Sequence, residues 1–140
     1  MELSNRTLGD WLEYWAEKTP DKEYIVYSDR DLRFTWGKFN KRVDNMAKGL
    51  LSIGVERGTH VGIWAGNVPD WLTFLYACAK IGAVAVTVNT NYKQSELEYL
   101  CQNSDMHTLC IVNGDRGNDD YVNMVFLEHQ HPTLANGRTL

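Results

Sequence analysis

The sequence predicts an α/β fold: an open, mainly parallel sheet flanked by helices, preceded by a small helix and a β-hairpin. Three observations lead there. Short apolar runs at His60–Ala65, Ala83–Val88 and Thr108–Val112 have the length of strands. Amphipathic or apolar stretches of helical length separate them. Connections of a dozen or more residues require parallel pairing with right-handed crossovers, which calls for helices over the sheet.

The first helix is expected after Thr7, a good N-cap, with Leu8, Trp11, Leu12 and Trp15 at i, i+3, i+4, i+7 as an aromatic inner stripe. Asp10 in its first turn and Lys18 in its last suit the helix dipole, and Thr19-Pro20-Asp21 ends it. Tyr24–Tyr27 and Leu32–Thr35 read as paired strands around the polar turn Ser28-Asp29-Arg30-Asp31.

Thr35 can cap the next helix. Trp36, Phe39, Val43, Met46, Ala47, Leu50 and Leu51 fall on its inner face, and Lys38, Lys41, Arg42, Asp44 and Lys48 on its water face. Gly54 occupies the position where a glycine releases the chain from a helix end. Beyond the strand at His60–Ala65, Pro69 and Asp70 suit a first helical turn. Trp71, Leu72, Phe74, Leu75, Cys78, Ala79 and Ile81 make that helix apolar over much of its circumference. Ala83–Val88 is a nearly unbroken apolar run, expected to be buried on both faces of the sheet. A helix beginning at Ser95 places Leu97, Leu100 and Cys101 inward, with Glu96 and Glu98 in its first turn. Asp119–Phe126 can start one more. From residue 127 the apolar period is lost, so residues 1–126 are expected to form the folded part and 127–140 an irregular tail.

Composition narrows the function classes. Of 140 residues, 44% are hydrophobic and 23% charged, ordinary values for a folded domain. The formal net charge of −4, with scattered basic residues, gives no footprint for nucleic acid. Residues 1–5 lack the basic start and apolar run of a secretory signal, and no stretch approaches the roughly 18 apolar residues of a membrane span. The expectation is a soluble, cytoplasmic chain. The three cysteines, Cys78, Cys101 and Cys110, sit at apolar positions without close pairing and read as reduced, packed thiols. His60 and His107 precede strands and His129 and His131 fall in the tail, so no metal site is expected. Gly-x-Ser-x-Gly, Cys-x-x-Cys and Gly-x-Gly-x-x-Gly are all lacking.

Two stretches carry a resemblance. Phe34-Thr35-Trp36-Gly37-Lys38-Phe39, entered from Pro20-Asp21-Lys22, opens the long helix that ends at Leu50–Gly58. Gly62–Trp71, then Lys80-Ile81-Gly82-Ala83-Val84 and Asn89-Thr90-Asn91-Tyr92-Lys93 with Glu96-Leu97, follow at the matching separation. In this order, over residues 8–114, they resemble the N-terminal portion of the AMP-forming acyl-CoA synthetases, fatty-acid CoA ligases of the adenylate-forming superfamily. The resemblance implies an incomplete N-terminal subdomain of that fold. It also implies a parent enzyme that converts a fatty acid, ATP and CoA to acyl-CoA, AMP and pyrophosphate, with ATP, Mg and CoA as its cofactors.

The family's Ser/Thr/Gly-rich phosphate loop ending in lysine is not found in these residues, nor is its catalytic lysine. The chain by itself is therefore expected to bind no cofactor, to carry no catalytic residue and to be inactive. Its expected partners are the remainder of the synthetase chain and a second copy, the parent taking a small-molecule carboxylic acid. The alternative is a non-catalytic α/β binding or oligomerisation module from the same family, with Trp11, Trp15 and Trp71–Ile81 as recognition surfaces.

Three residues are candidates for a binding site. In open α/β sheets ligands collect beyond the carboxyl ends of strands, where Gly66-Asn67 and Asn89-Thr90 lie. The resemblance places Asn89 and Thr90 near the CoA or acyl channel, with Asn67 beside the same sheet end. Local chemistry alone reads Asn67 and Asn89 as groups that satisfy loop and helix-end amides.

Overall fold

The computed structural model describes residues 4–113 and 120–126; the expected tail at 127–140 lies outside them. The chain divides into two compact units, Met1–Arg57 with Leu72–Gly82, and Gly58–Trp71 with Ala83–Leu140.

The first unit opens with α1 (Leu8–Lys18), capped as expected: Thr7 Oγ1 accepts from Asp10 N at 3.2 Å and Asp10 Oδ2 accepts from Thr7 N at 2.8 Å. Its inner face differs from the expected aromatic stripe. The buried residues are Gly9, Leu12 and Ala16, whereas Leu8 is exposed and Trp11 is 38% exposed. The reason is a close helix approach. A Cβ on Gly9 would stand 3.1 Å from Lys80 Cγ, so small residues take the contact and the bulky rings move to the flank.

Strands β1 (Glu23–Tyr27) and β2 (Leu32–Thr35) form the expected antiparallel hairpin, pairing Tyr27 with Leu32 and Val26 with Arg33. Thr35 Oγ1 accepts from Lys38 N and starts α2 (Trp36–Ser52), which buries Phe39, Val43, Ala47 and Leu50 at helical spacing. Leu51, expected inward, is exposed one step off that stripe. Gly54 turns the chain away with φ +88°. Around Phe39 the rings of Tyr24, Phe34 and Tyr76 pack edge-on at 5.4–6.3 Å, and Trp36 stacks between Tyr24 and Trp15.

The second unit holds a parallel sheet of β3 (His60–Trp64), β4 (Val84–Thr87) and β5 (Thr108–Ile111) in the order β4-β3-β5. The central strand is buried along Val61–Trp64. β4 is not buried on both faces: Val84 is 42% exposed and Thr87 is exposed, because among the described residues nothing pairs with its outer edge. α4 (Gln94–Asn103) packs Leu97 and Cys101 inward, and α5 (Tyr121–Phe126) adds Tyr121 and Val125 to the same apolar cluster with Trp64, Val88 and Met106. Trp64 and Tyr121 stack at 4.3 Å.

Helix α3 (Pro69–Ile81) belongs to both units, its first residues to the second and Leu72–Ile81 to the first. Thr73, Phe74, Ala77 and Cys78 are buried, so much of the surface that the alternative reading would use for recognition is covered. Gly82, at φ +73°, makes the left-handed step from α3 into β4.

Candidate site at the carboxyl ends of the parallel strands

The candidate residues leave the sheet from one end. β3 and β4 run in register, with Ile63 opposite Thr87 and Val88 N donating to Ile63 O at 3.0 Å. The loops after the two strands therefore start side by side. Asn67 is exposed in the first, between Gly66 and the first turn of α3. Asn89 is exposed and Thr90 half-buried in the second. Tyr92 N donates to Asn89 O at 3.0 Å, closing a turn, and Asn89 Oδ1 accepts from Asn91 N at 3.0 Å. This is an Asx turn, the local use of an asparagine that its side chain favours. The side-chain carbonyl of Asn89 is thus engaged by its own loop, as local chemistry alone leads one to expect. Among the described residues no hydrogen bond joins Asn67 to Asn89 or Thr90.

The same end of the sheet holds a group that sequence patterning passed over. Trp64 closes β3, is fully buried and leaves its indole Nε1 without an acceptor among the described residues. Tyrosine 121, which covers it, comes from a distant stretch of chain, so no local period could reveal the pair. At the end of β5, Asn113 Nδ2 donates to Asp120 Oδ1 at 3.1 Å and links the strand to the start of α5.

The histidines and cysteines do not converge. His60 Nδ1 donates to the carbonyl of Ser104 at the end of α4. His129 and His131 lie outside the described residues. All three cysteines are free, and burial raises the thiol pKa of Cys101 and Cys110, which disfavours reactive thiolates. Among the described residues no three His, Cys, Asp or Glu side chains group as a metal site. None is therefore assigned to Mg2+. No helix among them is long and apolar enough to cross a membrane.

A second polar cluster lies in the first unit. Lys80 Nζ, on α3, donates to Glu13 Oε1 at 2.8 Å, Asp44 Oδ1 at 2.7 Å and Asn40 Oδ1 at 2.7 Å. Asp44 thus bonds a neighbouring helix while its side chain stays 41% exposed, at the margin of the expected water face of α2. Arg42 likewise bonds across to α3, donating from Nε to the buried Thr73 Oγ1 at 3.2 Å. Helical spacing shows which side of α2 each occupies but not which polar partner waits there. Lys80 joins three helices and is a packing device, not a ligand site.

Comparison with known proteins bears on the family and the fold. The family model described as AMP-binding enzyme matches residues 12–136. The chain belongs to the AMP-binding enzyme family. YngI of Bacillus subtilis (strain 168), named for a proposed acyl-CoA synthetase activity, is 45% identical over 131 residues. That match covers 92% of this chain and 24% of YngI. The mitochondrial medium-chain acyl-CoA ligase ACSF2 of Bos taurus is 38% identical over 99 residues, covering 71% of this chain and 16% of ACSF2. The chain thus spans a quarter or less of the length of these relatives.

Solved structures agree on the fold. The inhibitor-bound N-terminal domain of FACL13 from Mycobacterium tuberculosis superposes with a TM-score of 0.73 at 25% identity, over 76% of this chain and 27% of that one. A Mycobacterium tuberculosis fatty acyl CoA synthetase gives 0.72 at 26%, over 75% and 21%. The expected architecture, an incomplete α/β subdomain like the matching portions of these structures, is the one observed.

Proposed function

We propose that these residues form the N-terminal part of an ATP-dependent acyl-CoA synthetase acting on a fatty acid in the cytoplasm, with residues 1–126 as its N-terminal subdomain. The observation that carries the reading is the match to YngI across nearly the whole chain, at 45% identity, together with the parallel sheet in the order β4-β3-β5. The chemistry of such an enzyme has a physical logic. A carboxylate is a poor electrophile, and joining it to AMP supplies a good leaving group before the CoA thiol attacks. In this reading ATP, Mg2+ and CoA belong to the assembled enzyme, and the 140 residues alone do not form acyl-CoA. Their part is to present the loops at Asn67 and Asn89-Thr90, where the Asn89 amide and the Thr90 hydroxyl contact CoA or the acyl chain.

A chimera tests this. The matching stretch of YngI is replaced by this chain, and acyl-CoA formation is measured with fatty acid, ATP, Mg2+ and CoA, beside the isolated chain. Activity in the chimera and no pyrophosphate release from the isolated chain are expected. A folded but inactive chimera would refute the ligase reading, and pyrophosphate from the pure isolated chain would refute its inactivity. Within an active chimera, Asn89→Ala with Thr90→Ala is expected to raise the KM for CoA or the fatty acid while adenylate formation persists.

A further inference from the structure

We infer that Tyr121 is a positioning residue for the candidate site, holding the loops that carry Asn67 and Asn89-Thr90 through the row of side chains from which both begin. Strand register sets that row. Gly62 pairs with Val86 and Leu109, and Trp64 with Ile111, so by the two-residue period Val88, Trp64 and Ile111 share one face at the carboxyl end of the sheet. The backbone fastens the same row: Val88 N donates to Ile63 O at 3.0 Å and Val112 N to Trp64 O at 3.1 Å. Tyr121 covers it. Its ring stacks on Trp64 with 4.3 Å between centroids and 23° between planes, and it is 1% exposed. Val88, Leu97 and Val125 belong to the same buried cluster.

Both loops leave this cluster and return to it within a few residues. From Trp64 the chain runs through buried Ala65 and Gly66 to Asn67 and is buried again at Val68, so Asn67 alone is exposed between Val61 and Pro69. Val68 N donates to Gly66 O at 3.0 Å across that excursion. In the second loop Val88 precedes Asn89-Thr90, and Tyr92, just beyond them, packs against the cluster. The places of the three candidate residues therefore follow from where Trp64, Val88 and Tyr92 sit. A leucine at 121 would keep an apolar group in the cluster but remove the flat ring that fixes the plane of Trp64.

The consequence for ligand binding rests on the synthetase reading of Asn67, Asn89 and Thr90; the hold on the loops does not. Amide hydrogen exchange of the 140-residue chain tests that hold. In Tyr121→Leu the protection of the Val68 and Tyr92 amides is expected to fall at least about tenfold further than that of amides in α1 and α2, and Tyr121→Phe is expected to preserve it. A general loss of stability would lower all of them alike. Should Tyr121→Leu fail to fold, the unaltered chain gives an independent reading. The amides of Val68, Tyr92 and Met124, the last bonded to Asp120 O within α5, should lose protection together as urea is raised. In an active chimera, Tyr121→Leu is expected to raise the KM for CoA or the fatty acid about tenfold while adenylate formation persists, with Tyr121→Phe close to the unaltered chimera. The proposal is overturned by a fall in protection spread evenly over the chain, by a Met124 amide that opens while Val68 and Tyr92 stay protected, or by an active chimera whose KM values do not respond to Tyr121→Leu. An inactive chimera would count against the synthetase reading and leave the exchange result to decide the role of Tyr121.

Discussion

Removing the ammonium of Lys80 is the sharpest test of how the three helices of the first unit are held. Its side chain is only 9% exposed, whereas those of Glu13 and Asp44 are 55% and 41% exposed. The two ends of each ion pair therefore have unequal alternatives. Water can take over the carboxylates if the lysine is lost, but it cannot reach the ammonium if the carboxylates are lost. Exposed pairs contribute about 0–1 kcal/mol, and breaking a buried pair from one side costs about 3–5 kcal/mol. Lys80→Met keeps the stem against Gly9 and frees two half-solvated acids, so a loss of about 2 kcal/mol is expected, near 8 °C for a chain of this size. Glu13→Ala with Asp44→Ala strands the ammonium with Asn40 alone and is expected to cost more, about 3 kcal/mol. Adding Lys80→Met to that pair should then restore stability.

Alkaline pH gives a second readout of the same node. Burial of Lys80 works to lower its pKa, but the bonds to Asp44 and Glu13 outweigh it and the net shift is upward from 10.5. A raised pKa means that the contribution is fully present below the unfolded value and fades as pH rises through the folded one. The gap between the unaltered chain and Lys80→Met should therefore hold at neutral pH and close in strong alkali. Urea unfolding followed by far-UV circular dichroism measures each quantity. A double carboxylate variant more stable than Lys80→Met would refute the reasoning.

Two further substitutions probe the sheet of the second unit. Gly62→Ala would put a Cβ 2.3 Å from Met106 Sδ and 2.8 Å from Leu109 Cδ1, so urea unfolding should show a loss of about 2 kcal/mol, non-additive with Met106→Ala. Trp64→Phe keeps an aromatic ring against Tyr121 while removing an indole N–H that has no acceptor among the described residues. Its thermal unfolding should show a net cost of no more than about 1 kcal/mol, and a loss beyond about 3 kcal/mol would mean that the N–H has a bound partner.

What could be read from the sequence follows the range of the forces involved. Thr7 with Asp10, Thr35 before Trp36, and the paired runs Tyr24–Tyr27 and Leu32–Thr35 act over a few residues and were legible. Phe39, Val43, Ala47 and Leu50 were legible because helical spacing alone selects them. Trp11 was misread because its exposure depends on how close α3 comes at Gly9, a distance that α1 does not encode. β4 was misread for a related reason: an apolar run specifies what a strand tolerates, not how many neighbours it has. The sheet end bearing Asn67, Asn89 and Thr90 followed from strand polarity. The Asx turn that occupies Asn89 Oδ1 was foreseeable in kind, whereas the convergence of Glu13, Asn40 and Asp44 on Lys80 required knowledge of three helices at once.

The division of α3 between the two units sets a rule for anyone who would take the molecule apart. The path crosses from one unit to the other after Arg57, back after Trp71 and over again after Gly82, the middle crossing within a continuous helix. No single scission separates the halves, and a fragment ending at Arg57 would lose Lys80, Tyr76 and Thr73, the residues to which Asp44, Tyr24 and Arg42 are bonded. Dissection by limited proteolysis should accordingly release no stable piece corresponding to either half.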